Sequence, residues 1–213
     1  MLTLLMCAWL LLMPLLHGDW RVQLLLEAFM LVTALVTVWA NPNWGTLRNV
    51  LIVLWLASVA GTLLSIVTTD HPAWRWSRTL ELVSLVPLMA MLAAGMLAFV
   101  LRQRTLTLDS IFATIAAYVL VGVLFAQIYL CMLTWNPASF SLPVEAAARP
   151  VHLLQSDMTY FSLVTLATVG YGDILPVTST ARMMAMIEAV IGQFYVAVVV
   201  AIFVGMYSSQ RRN

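Results

Sequence analysis

The chain has 213 residues, 63% of them hydrophobic and only 9% charged, with a formal net charge of +1. Soluble domains carry roughly 45–50% apolar and about 25% charged residues, so this composition excludes a soluble globular protein. A mean hydropathy of +0.98 selects a multi-spanning membrane protein instead. The near-neutral balance implies no acidic or basic partner, and no nucleic acid.

Six apolar runs follow one another. The first, 2–16, is short for a span, which needs about 20 residues and at least roughly 17. It lacks a positive n-region and a small-residue cleavage site, so it reads as a tilted or bilayer-thinning helix rather than a signal peptide. The second, 22–40, stops at the turn Asn41-Pro42-Asn43. The third, 47–68, is broken by Thr69-Asp70-His71-Pro72, and the fourth, 79–101, ends at Arg102-Gln103-Arg104. The fifth covers 110–134, and the sixth, 182–207, is closed by Arg211-Arg212. Cys7 and Cys131 sit in apolar segments without CxxC spacing and read as small buried hydrophobes rather than a disulfide.

Between the fifth and sixth runs the pattern changes. Pro137, Pro143 and Pro150 make 135–155 an irregular polar turret, after which Ser156 or Asp157 is expected to cap a helix. The apolar stretch 158–167 reaches only about 15 Å at helical rise, too short to cross a bilayer. A half-length helix returning as an extended loop is tolerated where protein or water surrounds it, and its carbonyl end favours a cation. The loop is Thr168-Val169-Gly170-Tyr171-Gly172-Asp173. Replacing the water around an ion takes a run of carbonyls aimed one way, which neither a strand nor a helix supplies. Gly170 and Gly172 tolerate the backbone angles this requires, and Thr168 can add a hydroxyl. Val169 and Tyr171 are expected to point away and pack against whatever holds the loop. An ordinary glycine turn is the alternative, and the long apolar runs on both sides weigh against it.

TVGYGD resembles the signature sequence of potassium channels, and 165–178 resembles the pore loop of their bacterial members. The resemblance implies an all-α membrane protein with six transmembrane helices. A re-entrant pore helix and selectivity-filter loop would lie between the fifth and sixth, and four copies would form a tetrameric pore. Carbonyls of Thr168, Val169, Gly170 and Tyr171, with the Thr168 hydroxyl, would coordinate K+, and Gly172 and Asp173 would complete the filter. Relatives with an acidic residue in place of Tyr171 lose selectivity, so this chain keeps the selective form. The likeness is specific over 110–207 and only a matter of helix count over 1–104, hence a division into a four-helix region, 1–104, and a pore domain, 105–213. K+ is then the permeant ion, with no cofactor; membrane lipids and three further copies are the partners. The filter would face outside the cell membrane and both termini the cytoplasm. Arginines do not decide this: Arg48, Arg102, Arg104, Arg211 and Arg212 fall on one side, Arg21, Arg75, Arg78, Arg149 and Arg182 on the other.

Three acids fall within apolar runs, where an ionisable group is costly. Glu188 lies about two turns into the sixth run, behind the filter if the pore fold holds, and is expected to steady it. The alternative is a protonated Glu188 satisfied by Ser162 or Thr165. Glu81 is expected to pair with Arg78, and Glu27 has no partner identifiable from sequence. Gly192 sits where similar channels place the hinge glycine of the inner helix, or else allows close helix packing. Gln193, Val196, Val200 and Val204 can share one face; by resemblance it lines the cavity, with Val200 and Val204 as a gating constriction. An ordinary lipid-facing or packed stripe is the alternative. The fourth run carries one charge, Glu81, and a helix-distorting Pro87, where voltage sensors repeat arginine, so weak voltage dependence is expected. No cytoplasmic regulatory domain is expected past Tyr207, and His152 in the turret is a candidate external proton sensor.

Other classes compete with this reading. A membrane enzyme needs a nucleophile, base or metal ligands converging at one depth, and no HExxH, GxSxG or aspartyl pair occurs. A nonselective cation channel is the nearer rival, because filter conformation as well as sequence sets selectivity.

Overall fold

The computed structural model describes residues 45–68, 73–103 and 107–210, with the lone position 28. The first two apolar runs, Glu27, and the side chain of His152 lie outside the described residues. Within them the regular structure is helical apart from one two-stranded pairing. The long helices are α1 (Gly45–Val67), α2 (Trp74–Arg102), α3 (Leu108–Trp135) and α6 (Ser179–Gln210). Between α3 and α6 come β1 (Phe140–Ser141), α4 (Val144–Ala147), α5 (Gln155–Leu166) and β2 (Leu175–Pro176). Four of these helices are long and apolar enough to cross a membrane, over Asn49–Val67, Trp74–Ala98, Leu108–Trp135 and Ser179–Ser208. They correspond to the third to sixth apolar runs.

Helix boundaries extend beyond those runs because hydropathy does not register caps. Thr107 caps α3, its side chain accepting from the Ser110 amide at 3.2 Å, and Asp109 adds a negative charge to the first turn. α2 begins five residues before the expected start and passes through Pro87 without a break. Pro87 lies inside this one continuous helix, as prolines in membrane helices often do.

α1 and α2 meet through small and polar residues. A Cβ on Gly61 would lie 2.6 Å from the Glu81 amide nitrogen, so bare backbone is what lets the helices approach. Arg78 and Glu81 form their ion pair at 2.5 Å, buried rather than at a solvated helix end. α2 then packs along α3: Leu85, Leu88, Met89, Leu92 and Met96 interdigitate with Ala116, Ala117, Leu120 and Val123. At one end Trp76 meets Trp135 edge-on at 4.8 Å, and Trp135 Nε1 donates to Thr79 Oγ1 at 2.9 Å.

The second core holds α5. Phe125, Tyr129, Leu130 and Leu133 of α3 pack with Phe140, Leu154, Met158, Phe161, Ile174 and Ala181. Tyr129, Phe140 and Phe161 form a mutually edge-on triad with centroids 5.2 to 5.4 Å apart. The turret is more ordered than its prolines suggest. Its strand β1 pairs antiparallel with β2, Phe140 opposite Pro176 and Ser141 opposite Leu175, tying the turret to the segment after the TVGYGD loop. Cys131 is a free, half-buried thiol.

Candidate functional site

The site is built on α5, which at 12 residues rises only about 18 Å, well short of a span. Its expected cap is corrected. Leu154 occupies the N-cap position with no side-chain bond, because the turn Val151–Leu153 runs straight into the helix and buries Leu154. Ser156 and Asp157 fall in the first turn, where Asp157 still favours the helix dipole and takes the Arg149 guanidinium at 2.8 Å.

At the other end of α5 the chain leaves through a sequence of close turns. The amides of Ala167, Thr168 and Val169 bond back to the carbonyls of Leu163, Thr165 and Val164 at 2.9 to 3.0 Å. From there φ is positive at every second residue: 57° at Thr168, 58° at Gly170 and 79° at Gly172. The glycines were expected to adopt such angles; Thr168 was not. For a β-branched residue the left-handed region is a true outlier, costing on the order of 1–3 kcal/mol, and it persists only where the surroundings enforce it. One restraint is Gln193 on α6, whose Nε2 donates to Thr168 Oγ1 at 3.0 Å.

Beyond the glycines, Asp173 is held twice. Its Oδ1 accepts from the Ile174 amide at 3.1 Å and its Oδ2 from the Tyr160 hydroxyl at 2.8 Å. That bond to Asp173 is the main reason the Tyr160 hydroxyl titrates above its ordinary value. Tyr160 also stacks on Tyr171, the rings 3° from parallel with centroids 6.3 Å apart. Val169 and Tyr171 nevertheless remain exposed in the single chain. Of the packing expected for the two, the contact of Tyr160 with Tyr171 is present among the described residues.

α6 grips α5 on successive turns. Glu188 is fully buried and accepts from Tyr129 of α3 at 2.5 Å through Oε2, while its Oε1 bonds Ser162 of α5. Of the two partners expected for Glu188, Ser162 is present; among the described residues Thr165 is not. One turn later, a Cβ on Gly192 would stand 2.1 Å from the Leu166 carbonyl oxygen. Of the two readings of Gly192, close approach is the one displayed here. Val200 and Val204, further along α6, are exposed. Tyr129, Tyr160 and the Gln193–Thr168 bond escaped sequence reasoning. A polar-tipped aromatic inside an apolar run was the available signal for Tyr129, but nothing linked it to a residue 59 positions away.

A half-length helix and an irregular loop thus lie between two helices long and apolar enough to cross a membrane. The sequence profile of a family described as Ion channel matches residues 117–209. Protein LctB of Bacillus caldotenax is 34% identical over 95 residues, 45% of this chain and 70% of that protein. Protein LctB of Geobacillus stearothermophilus is 34% identical over 116 residues, 54% of this chain and 84% of its own. Two pore potassium channel c of Oryza sativa subsp. japonica is 35% identical over 85 residues, 40% of this chain but only 18% of that one. No solved structure matches the chain. The chain belongs to the ion channel family and is a membrane protein.

Proposed function

We propose that the chain is one quarter of a potassium-selective channel that conducts K+ passively across the cell membrane. The observation that carries this reading is the alternation of positive φ at Thr168, Gly170 and Gly172 with other angles at Val169 and Tyr171. Such alternation cancels the up-and-down pleat of a strand and turns successive carbonyls the same way, as ion coordination requires. Carbonyls of Thr168, Val169, Gly170 and Tyr171, with the Thr168 hydroxyl, are the K+ ligands in this reading; Gly172 and Asp173 close the outer end. The matching rice protein, a potassium channel by name, agrees with that ion.

In this reading four copies surround the ion. One loop supplies one side of an ion's shell, and the exposed faces of Val169, Tyr171 and α6 are what neighbouring copies would cover. The pore domain begins near residue 105, and the region before it is a scaffold whose α2 packs along α3. Both termini lie in the cytoplasm, the filter outside. Glu188 and Ser162 support the filter, with Thr165 in the same helix. Gly192 seats the inner helix against α5, and Val200 with Val204 forms a hydrophobic gate that closes by dewetting. Val204→Ser should raise the closed-state leak severalfold; a leak equal to the parent's removes the gate from this position.

The deciding experiment is flux through purified protein in liposomes, with reversal potentials in mixed K+ and Na+ and block by barium as control. Selective potassium current is expected. A reversal potential indifferent to the K+/Na+ ratio would make the chain a nonselective cation channel, and no current from a monomer or dimer would overturn the pore reading.

A further inference from the structure

We infer that Tyr129, Glu188, Ser162 and the Gly122 carbonyl form one directed hydrogen-bond chain, with Glu188 standing as a carboxylic acid and Tyr129 as a positioning residue for the filter. The inference rests on reading α5 as the pore helix. Ser162 has one hydroxyl hydrogen and lies against two acceptors, the Gly122 carbonyl oxygen at 2.5 Å and Glu188 Oε1. A carbonyl can only accept, so the approach of Ser162 to Gly122 uses that hydrogen. The hydrogen between Ser162 Oγ and Glu188 Oε1 must then belong to the carboxyl group. Tyr129 supplies its own to Oε2 at 2.5 Å. The run is therefore Tyr129 O–H to Oε2, Oε1–H to Ser162 Oγ, and Ser162 O–H to Gly122. With Glu188 ionised, Ser162 Oγ and one of its two neighbours would meet lone pair to lone pair.

The surroundings favour the same answer. Tyr129, Ser162 and Glu188 each have 0% exposure, and among the described residues no cation pairs with Glu188. An unpaired carboxylate at membrane depth is costly, whereas a fully satisfied neutral chain is not.

Location gives the chain its role. Gly122 and Tyr129 are two turns apart on α3, so the outer helix is gripped at two heights. Ser162 and Leu166 are one turn apart on α5, and they meet Glu188 and Gly192, one turn apart on α6. The short helix is thereby keyed to the inner helix at two successive turns, which sets its height and that of the loop it carries. Tyr129 is itself oriented by its edge-on contacts with Phe140 and Phe161, so the aromatic triad aims the hydroxyl that holds Glu188.

The test uses the purified full chain in liposomes with two readouts. An infrared difference between the parent and Glu188→Gln should contain the carbonyl band of a protonated carboxyl, and Tyr129→Phe and Ser162→Ala should each shift it. Carboxylate bands in its place would overturn the inference. In mixed K+ and Na+, Tyr129→Phe should lower the permeability ratio about threefold to tenfold, the worth of one hydrogen bond. Glu188→Leu should lower it further. Glu188→Gln, which keeps one donor and one acceptor, should fall between the parent and Glu188→Leu. A Tyr129→Phe channel with the parent's ratio, or Glu188→Gln as damaged as Glu188→Leu, would refute the positioning role. If the parent passes no potassium, the proposed function fails, while the infrared band still reports on Glu188. If Tyr129→Phe does not fold, the parent and Ser162→Ala spectra decide.

Discussion

By sequence α3 and α6 are near equals, 28 and 32 residues long, with equal mean hydropathy over their spanning segments. Within the chain their fates differ: in an 18-residue apolar stretch of each, 61% of α3 is buried and only 11% of α6. α3 has α2 on one flank and α5 with the turret on the other, so most of its circumference is taken. α6 buries a single stripe, Ala181, Glu188, Gly192 and Val199, at helical spacing, and leaves the rest open. A membrane helix has no water to hide from, so apolar character says nothing about which side meets protein. Small and polar residues that fit a neighbour decide it, and on α6 these are Glu188 and Gly192.

The sharpest way to break this contrast is to thicken the α6 stripe. Gly192→Ala would drive a Cβ into the Leu166 carbonyl, which is backbone and cannot swing aside, so loss of conducting assemblies is expected in flux assays and size-exclusion chromatography. Next in size is the α1–α2 hairpin. Glu81→Ala strands the buried Arg78 and should cost about 3–5 kcal/mol, read as a lowered unfolding midpoint in detergent.

A smaller effect tests the loop's outer end. The raised pKa of Tyr160 means its bond to Asp173 contributes stability fully below the ordinary tyrosine value near 10. That contribution is lost as pH rises past this value and through the raised one. Thermal unfolding between about pH 8 and 11 should therefore fall off less steeply in Tyr160→Phe than in the parent. The smallest change is expected at Gly205, also on α6, where an added Cβ meets nothing within 4 Å. Gly205→Ala should keep the chain folded and add up to about 1 kcal/mol of helix stability, in contrast to Gly192→Ala.

Much of the pore region was legible beforehand. The short helix, the TVGYGD loop, the pairing of Arg78 with Glu81 and the contact between Glu188 and Ser162 were all expected and are present. Expectations failed where local cues competed with packing. Ser156 and Asp157 looked like caps, but burial of Leu154 set the start of α5 earlier. The bond from the Gln193 amide to the Thr168 hydroxyl had no counterpart among the expectations.

The sequence by itself determined the number of long apolar stretches, the half-length of α5 and the glycines that permit positive φ. These depend on residues a few positions apart, whose hydropathy and backbone tolerance travel with them. Only the tertiary structure decided that Thr168 shares the left-handed angle, that Gly192 is a seat for a carbonyl, and that Tyr129 reaches Glu188. Those facts arise where three helices converge, and a hydrogen bond or a close approach between distant residues leaves no periodic trace in either segment.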